Sequence, residues 1–388
     1  MDIVTVSPVR NRAQRKAFVE CEYALHRADA CWVPPLRRDR YRLLSRTRNP
    51  FLSFGEVALY LARRGGKVVG RIAAVHDPRF NRHHGTRDGF FGLFACVDDP
   101  DVARRLFQAA GSWLIGRNMT SMVGPVNFST NYECGALVDG FDLPAALLMP
   151  WNPPFTPVLI ESCGFTAVQD LHAWEWACVP EQPEALGRVA AAAVRRGDIT
   201  VRTVDVLDYA AEMRRIRDLY HRAWQDNWGF VPMTGREFQH LADQLRPALR
   251  PELALVAEVA GEPAGFSLTL PDLAPAFRAA GGRLHRWGVP TGLARMLRAS
   301  RQVRRGRLMA LGVVEEFRNS GVLPVLLAET ERAARRLGYE AVEISWVLDS
   351  NKPALRSLRA AGCRRTKTYR IYRRELRHGS YEQALRNH

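Results

Sequence analysis

The chain has 388 residues, 47% hydrophobic and 25% charged, which allows two domains with cores of their own and excludes a largely disordered chain. Its formal charge is +16, carried almost wholly by arginine, and no apolar run approaches the roughly 18–20 residues of a membrane-spanning helix. Seven scattered cysteines without Cys-x-x-Cys spacing read as reduced thiols, and Met1-Asp2-Ile3-Val4 does not open like a signal peptide, so a bacterial cytoplasmic protein is expected.

Taken in order, Ile3–Val6 alternates like a strand and Asn11–Leu25 reads as a helix. Glu56–Ala62 and Val68–Val75 are strands joined at Gly65-Gly66, a hairpin signal. Gly89–Cys96 is a further strand, and Asp98-Asp99-Pro100-Asp101 opens a helix that ends near Gly116. Ser121-Met122-Val123 is a short strand, Pro157–Gly164 is helical, and the Trp- and Val-rich stretch Val168–Val179 is a strand.

A long polar loop fills Gly124–Gly135, where a simple domain needs only a few residues. Such a loop is either functional or a packed Ω-loop. Glu133 is its only carboxylate at the centre, and two readings stand for it: a general base, or a hydrogen-bonding residue. Cys134 reads as a small buried residue rather than a nucleophile, since no His lies near it in sequence.

The same order of elements returns in the second half. Ile199–Val204 is a strand, Tyr209–Asp226 a helix, and Leu253–Leu270 a hairpin turning at Gly261. Between them, Trp224, Asn227, Trp228 and Phe230 form an aromatic turn that either lines an apolar pocket or seals packing. The run Leu308–Val314 is short enough for a buried strand, and Val322 opens an amphipathic helix that stops at Gly338. Ala341–Val347 is a strand, Asn351 caps a short helix with Pro353 in its first turn, and Thr366–Glu375 closes the chain.

Strand, phosphate-sized loop and helix place anions at the helix N-terminus. After Arg318-Asn319-Ser320-Gly321 the free N–H groups and the helix dipole favour negative charge, Gly321 permits close approach, and Arg318 adds a cation. In the first half, Asp98-Asp99-Pro100-Asp101 occupies the corresponding place, where carboxylates would repel a pyrophosphate.

This segment resembles the GNAT superfamily of N-acyltransferases, whose pattern is roughly Arg-x-x-Gly-x-Gly/Ala, then Asn-x-x-Ala and a Gly-Phe helix end. Arg318, Gly321, Asn351, Ala354 and Gly362 match. Leu323 stands where the second Gly or Ala is usual, Leu358 where a thiolate-protonating Tyr often sits, and Cys363 replaces Phe. The whole chain is similar to a group of bacterial tandem acyltransferases that includes ceramide synthases, through Asn49-Pro50-Phe51, Gly70-Arg71-Ile72, Gly124-Pro125 to Gly135, Asn227-Trp228-Gly229-Phe230, Arg318-x-x-Gly321 and Ser345-Trp346-Val347.

The resemblance implies an α/β (α+β) chain of two tandem GNAT-like domains, each a mixed, mostly antiparallel twisted sheet flanked by helices. The expected division is residues 1–180, a linker helix over 181–198, and a second domain over 199–388 with a basic insertion at 271–305. It also implies transfer of a fatty acyl group from acyl-CoA to the amine of a sphingoid base, without a metal; His83-His84 lacks further ligands. Glu133, Asn131 and Asn351 are the expected catalytic residues. Acyl-CoA is expected on Leu311, Gly312, Val313, Val314, Arg318, Asn319, Ser320, Gly321, Val322 and Asn351. The acceptor is expected against Asn127, Thr130, Tyr132, Trp224, Asn227, Trp228, Phe230 and Trp346.

Two rival classes have sequence support: an aminoacyl-tRNA-dependent transferase, suited to a basic surface, and a non-catalytic acyl-CoA or lipid sensor. The charge is clustered, with eight arginines and no acid between Gly281 and Arg307, and six arginines with one acid between Arg37 and Arg48. Leu293, Met296, Leu297 and Ser300 fall on one helical arc with Arg295, Arg298, Arg301 and Arg305 opposite. That pattern suits either an interfacial helix at the inner face of the cytoplasmic membrane or a solvated surface helix. Aromatic interleaving is too thin for nucleic acid, and the oligomeric state is left open.

Overall fold

The computed structural model describes residues 2–178 and 185–376; Val179, at the end of one expected strand, and 181–184 of the expected linker lie outside the described residues. The elements in order are β1 (Val4–Pro8), α1 (Arg12–His26), α2 (Arg37–Leu43), β2 (Glu56–Arg64), β3 (Lys67–His76), α3 (Pro78–His84), β4 (Asp88–Cys96), α4 (Pro100–Ile115), β5 (Ser121–Gly124), β6 (Ala136–Asp139), α5 (Phe155–Ser162) and β7 (Thr166–Ala177). They continue with α6 (Ala185–Gly197), β8 (Ile199–Thr203), α7 (Tyr209–Trp224), α8 (Gly235–Leu245), β9 (Ala254–Val259), β10 (Glu262–Pro271), α9 (Ala274–Ala280), α10 (Thr291–Ser300), β11 (Arg305–Val313), α11 (Val322–Arg336), β12 (Ala341–Leu348), α12 (Lys352–Ala360) and β13 (Arg364–Glu375). The chain is therefore of mixed α/β class, with mostly antiparallel strands flanked by helices.

Two compact units arise: one from the described residues within Met1–Asp170, Ala276–Leu297 and Lys367–His388, the other from Leu171–Pro275 and Arg298–Thr366. Each unit thus receives a strand from the opposite half of the chain. Most of β7 belongs to the second unit and most of β13 to the first. The expected insertion at 271–305 likewise divides, and its stretch 276–297 belongs to the first unit.

In the first unit the strand order is β1-β2-β3-β4-β5-β13, with β6 also on β13. The β4/β5 pair is parallel, from Asp88 opposite Ser121 to Phe90 opposite Val123. Alternation along β3 sorts its two faces. Ile72 and Ala74 join the apolar cluster built on Val102, Leu106 and Ala110 of α4, while Arg71 turns to α1, where its Nη1 donates to the Phe18 carbonyl (3.0 Å). Burying Ile72, Val102 and Leu106 stabilises the unit by about 1.5–3 kcal/mol each.

In the second unit the order is β7-β12-β11-β10-β9-β8, and β11/β12 is the parallel pair. Alternation again assigns the faces. Leu255 and Ala257 of β9 meet α11, whereas Ala254 and Val256 meet α7. The Ala-rich α6 is part of this packing: Ala190 and Ala193 are buried against Val322 and Val325 of α11. Among the described residues, no helix is long and apolar enough to cross a membrane.

Candidate active site

In the second unit, β11 and β12 are paired from Arg305 opposite Ala341 to Leu308 opposite Ile344, and their parallel pairing ends there. Beyond that point Val314 N–H bonds the Ala264 carbonyl of β10 (2.9 Å), so by alternation the backbone groups of Leu311 and Val313 lie on the side away from β10. The Trp224 indole, at the end of α7, donates to the Leu311 carbonyl on that side (3.2 Å).

The chain then turns through Arg318-Asn319-Ser320 into α11. Gly321 is the N-cap residue with φ 91°, a left-handed conformation that favours glycine, and no side chain caps the helix. A Cβ there would stand 2.5 Å from the Cβ of Ala193, so α6 adds a second reason for glycine. The N–H groups at the helix start therefore lack a side-chain cap, and the dipole makes them suited to an anion; Pro324 removes one donor from this turn. Arg318 is 42% exposed and paired only at the surface with Asp226 (3.1 Å), a contact of little energy that an anion can displace. Asn319 is exposed, and the Ser320 hydroxyl donates to the Phe317 carbonyl (2.7 Å).

The other expected residues of this unit have distinct environments. Asn351 is the N-cap of α12, its Oδ1 accepting from Ala354 N–H (3.2 Å). Trp346 is half-buried on β12 just past the end of the β11/β12 pairing. Asn227 and Trp228 are half-buried in the turn after α7, where the Phe230 N–H bonds the Asn227 carbonyl (3.1 Å). Phe230 itself is 5% exposed and belongs to the core, its ring 5.7 Å from that of Tyr220. Leu358 is buried in the cluster under α12.

The first unit repeats this geometry with different chemistry. Its parallel pairing ends at Phe90 and Val123, but the chain's own loop closes the strand edge beyond. Val126 N–H bonds the Phe91 carbonyl (2.7 Å), and Asn127 Oδ1 accepts from Leu93 N–H (2.8 Å). The approach is close enough that a Cβ on Gly92 would lie 2.3 Å from the Val126 carbonyl oxygen. The following helix, α4, is capped by Asp99, whose Oδ1 accepts from Asp101 N–H (2.8 Å) and Val102 N–H (3.4 Å) while its carboxylate pairs with Arg64. The strand edge and the helix start that open the second cleft are both occupied here.

The loop 125–135 is packed on one side and faces a cavity on the other. Phe128 is fully buried and stacked on Phe51 (5.6 Å), and the Tyr132 hydroxyl bonds Asn49 Oδ1 (3.0 Å). Thr130 is buried, Asn131 is half-buried with its N–H on Ser129 Oγ (3.2 Å), and Cys134 is buried. Asn127, Glu133 and Cys134 line a cavity of about 130 Å³ in the first unit.

An ionic chain runs along that cavity. Arg71 on β3 pairs with Glu22 on α1, Glu22 with Arg40 on α2 (3.4 Å), and Arg40 with Glu133 (3.0 Å). Asn127 Nδ2 completes it by donating to Glu133 Oε2 (3.0 Å). Burial favours the neutral acid of Glu22, but the Arg40 and Arg71 guanidiniums outweigh it and bring its pKa down to about 2. Burial also opposes the charge of Arg40, and Glu133 and Glu22 more than compensate, raising its pKa. His26 is lowered, first by burial, against the opposing pull of Glu22.

Glu22, Arg40, Arg71 and Trp151, which also lines the cavity, do not stand out as site residues by spacing. The traces are faint: Arg71 sits in Gly70-Arg71-Ile72, and Arg40 in the arginine-rich stretch between Arg37 and Arg48. In the structure Arg40 serves the buried chain, and Arg37 pairs with Glu20 (2.8 Å). The apolar arc of α10 is in part spent internally, since Leu293 and Met296 pack on Leu36, Ala280 and Leu284 while Leu297 stays exposed.

The family model "Acetyltransferase (GNAT) family" matches residues 213–362. Over 383 residues the chain is 36% identical to the bacterial ceramide synthase of Caulobacter vibrioides, covering 96% of this chain and 98% of that protein. It is 31% identical over 375 residues to Protein YghO of Escherichia coli, covering 94% of each. Among solved structures, a tandem GNAT protein from the clavulanic acid biosynthesis pathway superposes with a TM-score of 0.55 at 14% identity, over 97% of this chain and 99% of that one.

Proposed function

The chain belongs to the GNAT superfamily and is an N-acyltransferase, and from that premise we propose that it moves a fatty acyl group from acyl-CoA to the amine of a sphingoid base. The observation that carries the coenzyme assignment is the uncapped start of α11 beyond the end of the β11/β12 pairing. Pantetheine runs along the edge of Leu311, Gly312, Val313 and Val314, and the pyrophosphate meets the N–H groups from Gly321 and Val322 onward, with Arg318, Asn319 and Ser320 beside it. The choice of acceptor is supported by the 36% identity to the ceramide synthase.

The amine nitrogen attacks the thioester carbonyl, the C–S bond breaks, and coenzyme A leaves as a thiolate while the nitrogen loses a proton. Backbone N–H groups stabilise the oxyanion. Thiolate is a good enough leaving group to tolerate Leu358 where the family often has Tyr. Glu133 is the proposed proton acceptor, with Asn131 as a polar support. Asn127, Thr130 and Tyr132 of the same loop are the proposed acceptor contacts.

A sphingoid base is insoluble, so the protein meets it at the inner surface of the cytoplasmic membrane. With Leu293 and Met296 packed inside, the attachment surface is Trp287 (93% exposed), Val289 (55%) and Leu297 (53%), flanked by exposed Arg286 and Arg295. Each basic residue near an anionic leaflet contributes about 1 kcal/mol. Trp287→Ser with Arg286→Glu and Arg295→Glu is expected to abolish co-sedimentation with anionic vesicles, and unchanged sedimentation removes the attachment.

The acyl transfer is tested by incubating the protein with long-chain acyl-CoA and a sphingoid base and detecting amide by mass spectrometry. Amide above the no-protein control is expected. Its absence across acyl lengths, with both keto and reduced bases, overturns the acceptor assignment.

A further inference from the structure

The cavity of the first unit measures about 130 Å³, which admits a compact polar head and no long aliphatic chain. A chain attached to such a head leaves over the rim. Of the residues that line the cavity, Leu148 alone is exposed, at 40%, so it borders both the cavity and solvent. Its neighbours Leu147 and Met149 also line the cavity but are buried.

Leu148 is held, besides, in an unfavourable conformation. Met149 N–H bonds the Ala146 carbonyl (3.0 Å), closing a turn in which Leu148 is the third residue, with φ 59°. A positive φ at that place is usual for glycine or asparagine and strained for a larger side chain. Two local costs therefore fall on one position, backbone strain and a large apolar side chain in water. Leu148 belongs to none of the apolar clusters formed by the described residues of this unit, so core packing does not offset them. Strain of this kind gathers where ligands are held. Val33, Pro35, Phe94 and Phe277 are half-buried on the same lining and extend its apolar surface.

We propose that Leu148 is the rim over which the aliphatic chain of the acceptor amine leaves the cavity, and that it sets a preference for long-chain amines. The head lies toward Glu133 and Asn127, and the chain covers Leu148 and the half-buried apolar lining. This rests on the reading of the protein as an amine N-acyltransferase and adds where the chain of the acceptor is recognised. The acyl chain of acyl-CoA has the same chemistry; the acceptor is chosen because Glu133 and Asn127 line the same cavity.

The test uses the full chain in calorimetry with butylamine, hexylamine and octylamine. Affinity is expected to rise about twofold per added methylene, half the logarithmic gain of the about fourfold that complete burial of a methylene gives. Leu148→Asn brings in a residue that tolerates the left-handed conformation, so unreduced stability in denaturant unfolding is expected. The variant is expected to weaken octylamine about fivefold and to leave butylamine unchanged. Equal affinity for the three amines, no binding of octylamine, or an equal or absent effect of the variant on butylamine and octylamine overturns the assignment.

Amide formation separates the two chains and the two levels of the reading. In Leu148→Asn the KM of octylamine is expected to rise while that of acyl-CoA stays unchanged at every acyl length. A KM that rises for long acyl-CoA and not for octylamine gives the rim to the acyl chain and overturns the proposal. If the amines bind as expected while the unaltered protein acylates none of them, the rim stands as an alkyl-amine site and the transfer falls. If amide forms and the variant changes no KM, the transfer stands and the rim falls.

Discussion

The two units contain the same cleft in opposite conditions. In the first, the strand edge beyond the parallel pair is bonded by Val126 and Asn127, Asp99 caps α4, and a buried ionic chain lines what remains. In the second, the edge at Leu311 and Val313 meets only the Trp224 indole among the contacts described above, and α11 starts without a side-chain cap. A repeated fold can therefore keep its backbone geometry while a few side chains differ: a carboxylate caps the helix start in one copy, and a glycine leaves it without a side-chain cap in the other.

The largest expected effect tests what holds the closed cleft. Glu22→Gln leaves Arg71 and Arg40 short of a buried partner and is expected to cost about 3–5 kcal/mol in denaturant unfolding. The pH dependence has a definite sign. Because the pKa of Glu22 is lowered from 4.5 to about 2 on folding, its contribution is present above about pH 4.5 and lost as pH falls toward 2. The variant is expected to show a flatter acid limb across that window, and an identical limb would mean that Glu22 is not ionised in the fold.

The open cleft is probed next. Arg318→Glu with Asn319→Glu places two acids on exposed positions without disturbing Gly321, and is expected to weaken acyl-CoA about 100-fold by calorimetry, about 2.7 kcal/mol. The unaltered chain is expected to bind one acyl-CoA; two would break the contrast between the clefts.

Removing the cap that closes the first cleft gives a smaller change. Asp99→Ala is expected to cost about 1 kcal/mol of stability and still leave one acyl-CoA per chain, because Val126 and Asn127 continue to hold the strand edge. A second binding event in this variant would show that the cap alone closes the cleft.

Smallest is Asn351→Ala. As its Oδ1 is used on Ala354 N–H, a loss of about 0.5–1 kcal/mol in stability is expected, with kcat/KM changed less than twofold. A tenfold fall in kcat/KM would give Asn351 the catalytic part that the family pattern suggests.

Local signals in the sequence carried most of the fold. Alternation in β3 and β9, the carboxylate ahead of Pro100, the amide ahead of Pro353 and the glycine at 321 each act within a turn or a strand, so their physics is readable from neighbouring residues. The same locality made the contrast between Asp99 and Gly321 legible, and with it which half is proposed to bind coenzyme. Packing across long separations was not legible. The Ala-rich stretch of α6 has the composition of a connector, and only the three-dimensional arrangement buries Ala190 and Ala193 against α11. The exchange of β7 and β13 between units leaves no mark on either strand's own pattern. The cavity draws Glu22, Arg40, Arg71, Glu133 and Trp151 from five separate stretches. A charged side chain on a helix or strand looks the same in sequence whether it faces water or a buried counter-charge, because its pairing energy depends on a partner and a dielectric that only the folded chain supplies.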